Sequence, residues 1–288
     1  MRIAHCQFEP QSGNFAANLQ RVVEGLESAE RDRAEIVSFP ECFLTGYQDD
    51  GERARRHAFP IDSTEVMQVL DATSRFDPTL IVGFNEIRGE QLFNTALVAH
   101  RGHLLGQYSK CAAYMSFHTQ GREFPVFERE TRDDGVVTFG VIICADGGYI
   151  EPTRILTVKG ARVIFAPHYN YIGAKGLISH FMRVRADHTA RARENGVYFV
   201  RGNNVTVGEE QSILRNEGVG YGDSYVIDPH GEIVARTRRH VEDLLVCDIH
   251  PHAPEYRESA FGLTRSLWSA REFGGMLNEA VQEALDRA

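Results

Sequence analysis

Short apolar runs alternate with amphipathic stretches along almost the whole chain, and this alternation limits the possible folds more than any other feature. Ile3 to Phe8, Glu35 to Phe39, Thr79 to Asn85, Thr95 to His100 and Leu104 to Tyr108 are strand-length runs rich in β-formers. Between them, Asn14 to Ala29 sets Leu19, Val22, Val23 and Leu26 on one helical face. Asp62 and Glu65 have the form of a capping box ahead of Val66, Val69 and Leu70. The second half repeats the pattern: an apolar strand from Val136 to Cys144, a helix from Pro152 to Lys159 ended by Gly160, and a strand from Arg162 to Ala166. A long helix over Leu177 to Glu194 stops at Asn195-Gly196. Strands follow at Val197 to Arg201, Asp223 to Asp228 and Leu244 to Asp248, and an amphipathic helix begins near Leu267. Interleaved helix and strand predict an α/β protein, and turns at Arg101-Gly102 and Pro229-His230-Gly231 predict hairpins and hence mixed sheets. With no linker, repeat or low-complexity segment, residues 1–250 read as one domain and 251–288 as a C-terminal extension.

Charge narrows the partners. Lys and Arg number 31 and Asp and Glu 40, a net −9, and this acidic balance argues against nucleic acid as the main partner, because phosphate binding needs a basic face. No window approaches the roughly 20 apolar residues of a membrane span, and no stretch reads as a targeting signal, so the cytoplasm is the expected compartment. The five cysteines, Cys6, Cys42, Cys111, Cys144 and Cys247, show no C-x-x-C spacing. They read as reduced thiols, of which one is a candidate nucleophile.

Cys144 is that candidate. It closes V-V-T-F-G-V-I-I-C and precedes A-D-G-G, the strand-end placement of a nucleophile on a sharp turn. Cys6 and Cys247 lie inside β-rich runs and read as core. Twelve histidines offer no spacing that singles out a base. Glu41 in F-P-E-C-F and Lys110 in G-Q-Y-S-K-C also lie just past strands, where α/β sites gather. Either alone would read as a surface charge.

Taken together, these three contexts resemble the nitrilase superfamily of carbon–nitrogen hydrolases. The likeness continues through E-P-T-R-I-L-T-V-K-G-A-R-V-I-F-A-P-H (151–168), R-A-R-E-N-G-V-Y-F-V-R-G-N-N (191–204) and G-D-S-Y-V-I-D-P-H-G-E-I-V-A (222–235), in order over roughly residues 1–250. The resemblance implies a four-layer α-β-β-α sandwich that assembles as homodimers or larger homo-oligomers, with the extension packed at an interface. It implies Cys144 as nucleophile and Glu41 as general base. Lys110 and the Ala145 backbone N–H become the oxyanion donors. No cofactor and no metal are implied; the partners are a small-molecule substrate and water. Tyr47, Tyr114, Tyr149, His168, Asn170 and Tyr171 flank these motifs as candidate pocket residues.

Departures from the family pattern bear on the substrate. Ala145-Asp146 stands where true nitrilases carry Trp-Glu, which favours the amidase or N-carbamoyl amidohydrolase branch. Gly147-Gly148-Tyr149-Ile150 replaces a frequent Arg-Phe-Pro, and Ala112 replaces the His of Lys-x-His. No second glutamate occurs at the usual spacing after Lys110; His118, Gln120 or Glu123 are the candidates to fill its place. The leading expectation is hydrolysis of a small amide or N-carbamoyl compound through a thioester. The alternatives are a nitrilase and an inactive scaffold. His250 and His252 read as a surface turn rather than metal ligands, and Gly218, Gly220 and Gly222 as a hairpin entry rather than a phosphate loop.

Overall fold

The computed structural model describes residues 1–206, 218–253 and 263–287. Its first half runs β1 (Arg2–Gln7), α1 (Phe15–Arg31), β2 (Ile36–Ser38), α2 (Gly51–His57), α3 (Thr64–Thr73), β3 (Thr79–Arg88), β4 (Gln91–His100) and β5 (His103–Ser109). Its second half runs β6 (Val126–Thr131), β7 (Gly135–Val141), α4 (Ile150–Val158), β8 (Val163–Pro167), β9 (Tyr171–Gly173), α5 (Leu177–Asn195), β10 (Tyr198–Gly202), β11 (Gly218–Gly220), β12 (Tyr225–Ile227), β13 (Ile233–Arg236), β14 (Asp243–Asp248) and α6 (Leu263–Asp286).

The strands form two six-stranded sheets, ordered β14-β1-β2-β3-β4-β5 and β13-β12-β10-β8-β7-β6, with β9 and β11 as a small separate pair. Each sheet has a parallel centre, β1-β2-β3 in one and β7-β8-β10 in the other, flanked by antiparallel strands. The mixed sheets follow the expectation from the hairpin signals.

Period-two alternation explains the layering. In the first sheet Ile3, Ile36, Ile81, Ala96 and Val98 face the second sheet and share a core with Val137, Phe139, Val141 and Phe165. Their neighbours Ala4, Val37, Leu80, Val82, Leu97 and Ala99 face outward, under Val22, Leu26 and Ala29 of α1 and Val66 and Val69 of α3. Leu156 of α4 and Ala192 of α5 cover the far side of the second sheet. The order is helix, sheet, sheet, helix, as the resemblance implied. A central strand buried on both faces needs apolar side chains at every position, which is why these strands read as continuous apolar runs. Each fully buried large aliphatic side chain contributes about 1.5–3 kcal/mol by leaving water.

Elements missed in the sequence are those without apolar periodicity. In α2 only Ala54 is buried. β6 is an edge strand whose F-E-R-E-T alternates because only one face is covered. Helix α3 is capped by Ser63, which accepts from the Val66 N–H at 3.3 Å, and not by Asp62 one residue earlier. α6 begins a turn before Leu267, at Leu263. Among the described residues no helix is long and apolar enough to cross a membrane.

One glycine fixes where the chain after β2 can lie. A Cβ on Gly83 of β3 would stand 2.5 Å from the backbone nitrogen of Cys42, so only glycine lets the Glu41–Cys42 turn rest on the sheet. Gly83 also accepts the Leu44 N–H at 2.9 Å. Gly83→Ala should therefore lower the denaturation midpoint by the equivalent of about 1–3 kcal/mol, the usual cost of over-packing. An unchanged midpoint in urea would show that this approach is not tight.

Candidate active site

The directions of the strands bring three separate segments together. β5 is antiparallel to β4, which is antiparallel to β3, so β5 runs with β2 and β3. Glu41 after β2 and Lys110 after β5 therefore emerge at the same edge of the first sheet. Cys144 after β7 and His168 to Tyr171 after β8 emerge at the carboxyl edge of the second. This is the edge where open α/β sheets keep their sites. Between them lies a cavity of about 460 Å³, with Lys110, Cys144 and Ala145 in its wall.

Glu41 is the hub. One carboxylate oxygen accepts from Lys110 Nζ at 2.6 Å and from Asn94 Nδ2 at 2.7 Å; the other accepts from the Tyr169 N–H at 2.8 Å. The Glu41 charge also acts on the Cys144 thiol. Glu41 and Lys110 are both fully enclosed. Burial works against the Lys110 ammonium, but the Glu41 carboxylate, then Cys144 and Asp146, outweigh it and hold its pKa above the ordinary lysine value. For Cys144, burial and then the Glu41 charge push the thiol up to about 12, against an opposing pull from Lys110. The resting group is therefore a thiol.

Cys144 sits at φ 48°, in the left-handed region that residues with a side chain rarely adopt. Such strain persists only where the surroundings impose it. Here a single 3-10 turn over Cys144–Gly148 follows the strand directly. Asp146 in that turn accepts from the Ile143 N–H at 2.9 Å, the Tyr108 hydroxyl at 2.7 Å and the Ala112 N–H at 2.6 Å. It thereby ties the cysteine turn to both sides of Lys110. Burial raises the Asp146 pKa despite the Lys110 charge and these three donors.

Tyr47, Tyr114, Tyr149, His168, Asn170 and Tyr171 all line the cavity, as do Met115, Ile172, Val184, Asp49, Arg183 and Asp187. Tyr47 stacks on Tyr169, with ring centres 4.8 Å apart. Two expected pocket residues are not in it. His118 is buried behind the wall, with Nε2 2.9 Å from Asn85 Oδ1. Glu123 is exposed and does not line the cavity. The segment 111–124 turns outward after Lys110, because the Gly121 N–H donates to the Lys110 carbonyl at 2.8 Å and closes a loop. It contributes Tyr114 and Met115 to the wall and no carboxylate; among the described residues the acidic side chains lining the cavity are Asp49 and Asp187.

The sequence reading missed Asn94, Asp146, Tyr169 and Arg201. Asn94 left a trace, since a buried polar residue in the strand run L-F-N-T-A is out of pattern. In the sequence Asp146 stands out only as a substrate discriminator, because two of its bonds come from the distant Tyr108 and Ala112. Among the described residues no cluster of His, Cys, Asp or Glu is built to hold a metal, and His252 instead places Nε2 3.0 Å from the Val136 carbonyl oxygen.

Histidines near the site are neutral. Burial, then the charge of Arg201, holds His168 and His188 well below the ordinary imidazole value. Burial takes His5 down to about 3, and burial with Lys110 takes His118 to about 4. The native state thus refuses protons that the unfolded chain accepts near pH 6.5. Their contribution to stability is complete above that pH and is lost as the pH falls below it, by up to about 1.4 kcal/mol per pH unit for each histidine. Thermal melts should show a midpoint that drops steeply between pH 6.5 and 4.5. A flat midpoint over that interval would mean that these imidazoles are protonated in the fold.

Comparison with known proteins agrees with this architecture. An (R)-stereoselective amidase of Pseudomonas sp is 26% identical over 243 residues, 83% of this chain and 81% of that protein. A nitrilase of Pyrococcus abyssi is 28% identical over 255 residues, 86% and 89% of the two chains. Among solved structures, a mutant of the amidase from Nesterenkonia sp. AN1 superposes with a TM-score of 0.69 at 20% identity, covering 90% of this chain and 94% of that one. That structure carries covalent addition of the acetamide moiety of fluoroacetamide at its active site cysteine. The family model for carbon-nitrogen hydrolases matches residues 2–257, and the chain belongs to that family.

Proposed function

We propose that this protein hydrolyses the carbon–nitrogen bond of a small linear amide or N-carbamoyl compound, with Cys144 as nucleophile, Glu41 as proton carrier and Lys110 as oxyanion donor. The observation that supports it most is convergence. Lys110 and Cys144, from two strand ends, line one cavity, and Glu41, from a third, lies buried against Lys110 with Nζ at 2.6 Å and its charge acting on the thiol.

The steps follow from the chemistry of the three groups. Cys144 sulfur attacks the carbonyl carbon as Glu41 takes the thiol proton. The electrons displaced onto oxygen meet Lys110 Nζ and the Ala145 N–H. Collapse of this intermediate breaks the carbon–nitrogen bond, and Glu41 gives its proton to the departing nitrogen, which cannot leave as an anion. Water then attacks the thioester and gives its proton to Glu41. The carbon–sulfur bond breaks, and the proton returns to sulfur. Tyr47, Tyr114, Tyr149, Tyr171, Ile172 and Val184 in the wall suit an acyl group with apolar bulk.

Amide is preferred to nitrile because Ala145-Asp146 replaces the Trp-Glu of nitrilases. The similarity to the Pyrococcus protein called a nitrilase keeps the second reading in view. Residues 251–288 remain the proposed interface extension, supported by exposed Leu267, Trp268, Met276 and Leu277 on α6.

Cys144→Ala should abolish ammonia or amine release while the circular dichroism spectrum stays unchanged; full turnover in that variant would overturn the assignment. Removing one oxyanion donor typically costs 10²–10³ in kcat, so Lys110→Ala should lose at least about 10²-fold. Because it strands a buried carboxylate, it should also lose about 3–5 kcal/mol of stability. Paired amide and nitrile substrates, assayed by product analysis, separate the two readings. A folded wild type that releases nothing across primary amides, N-carbamoyl amino acids and nitriles would favour the scaffold reading.

A further inference from the structure

Behind the nucleophile lies a buried cation that the steps above do not use. Arg201 of β10 is 1% exposed, yet among the described residues it forms no ion pair. The nearby carboxylate, Asp223, is engaged by Arg185, Arg236 and Arg239. Arg201 instead spends its donors on neutral oxygens. Nη1 donates to the carbonyls of Gly222 and Asp223 at 3.2 and 2.6 Å. Nη2 donates to the Tyr221 hydroxyl at 2.7 Å and to Asn170 Oδ1 at 2.6 Å. The rings of Tyr221 and Tyr225 lie 5.3 and 5.4 Å from the guanidinium carbon. A buried charge that touches no carboxylate among the described residues is costly to hold.

Its contact with Asn170 supplies a reason. Asn170 is buried, and its Nδ2 donates to Cys144 Sγ at 3.6 Å. A primary amide can turn over and exchange its oxygen for its nitrogen at little steric cost. A guanidinium has no acceptor, so only the oxygen can face Arg201. Once that end is fixed, the N–H end must face the sulfur. The backbone of Asn170 is held as well: its N–H lies 3.1 Å from Asn203 Oδ1 and 2.9 Å from Asn204 Oδ1.

We infer that Asn170 is a further catalytic residue, donating a hydrogen bond to the Cys144 sulfur, and that Arg201 is the positioning residue that keeps the amide from turning over. The inference rests on Cys144 being the nucleophile. An N–H donor at sulfur has most effect when sulfur carries negative charge. That charge develops twice, when the thiol proton passes to Glu41 and when the thioester carbon–sulfur bond breaks. In the second event the bonding electrons go to sulfur before Glu41 returns its proton. With the amide reversed, an oxygen lone pair would face that charge and oppose both steps.

Alkylation of Cys144 by iodoacetamide tests this without any substrate. The rate is followed from pH 6 to 10 by intact mass, with peptide mapping to locate the adduct and melting curves to confirm folding. Asn170→Leu should slow alkylation about tenfold and shift its pH profile upward, as expected for loss of a hydrogen bond to a charged group. Asn170→Asp should be slower still, because it sets a second carboxylate against sulfur. Arg201→Met should reproduce the Asn170→Leu profile, and Arg201→Lys should lie between it and the wild type. The double variant Asn170→Leu with Arg201→Met should be no slower than Asn170→Leu alone, because Arg201 acts through the amide. Additive losses would reduce Arg201 to a structural residue and overturn the positioning role. A wild-type rate and profile in folded Asn170→Leu would overturn the whole inference while leaving the nucleophile in place. Resistance of Cys144 to alkylation in the wild type would remove the nucleophile itself, and this inference with it.

Discussion

The ion pair between Glu41 and Lys110 dictates most of what surrounds it. Two opposite charges with almost no exposure are tolerable only when their remaining lone pairs and protons are occupied. Asn94 and the Tyr169 N–H fill the free acceptor sites of Glu41. Asn94 lies within β4 of the first sheet, and Tyr169 follows β8 of the second. The two sheets must therefore face each other in one register for the Tyr169 N–H to reach Glu41. Gly83 permits the Glu41 turn to sit against β3, and Asp146 holds the cysteine turn against the Lys110 segment. The apolar seam between the sheets supplies the energy that keeps this polar cluster dry.

The same enclosure sets the chemistry. Burial raises the thiol and lowers the imidazoles, so neither a preformed thiolate nor a cationic histidine is available. In the proposed mechanism Glu41, paired with the Lys110 ammonium, moves the proton between sulfur and nitrogen. Arg201 reinforces the selection, since its charge contributes to keeping His168 and His188 neutral while its donor orients Asn170. A single buried guanidinium thus acts on both the protonation and the geometry of the site.

The candidate triad was legible because each member follows an apolar run that ends abruptly, at F-P-E, Q-Y-S-K and I-I-C. Local order reveals that much. Asn94 and Asp146 were in plain view but ambiguous, because their meaning lies in partners far along the chain: Asp146 bonds Ala112, and Asn94 bonds Glu41. His118 and Glu123 were drawn in by their spacing from Lys110, but the loop closed at Gly121 turns that segment away. β6 and α2 escaped because a half-exposed edge strand and a seven-residue helix leave little periodic signal.

The sequence by itself determined the layered α/β architecture, since strands buried on both faces must be apolar throughout and the helices covering them on one face only. It also determined which thiol ends a strand. Only the tertiary structure decided which charges meet, how the thiol is protonated and what stands behind it. Those outcomes depend on strand order within a sheet and on the facing of the two sheets, and neither is encoded in the spacing of residues along the chain.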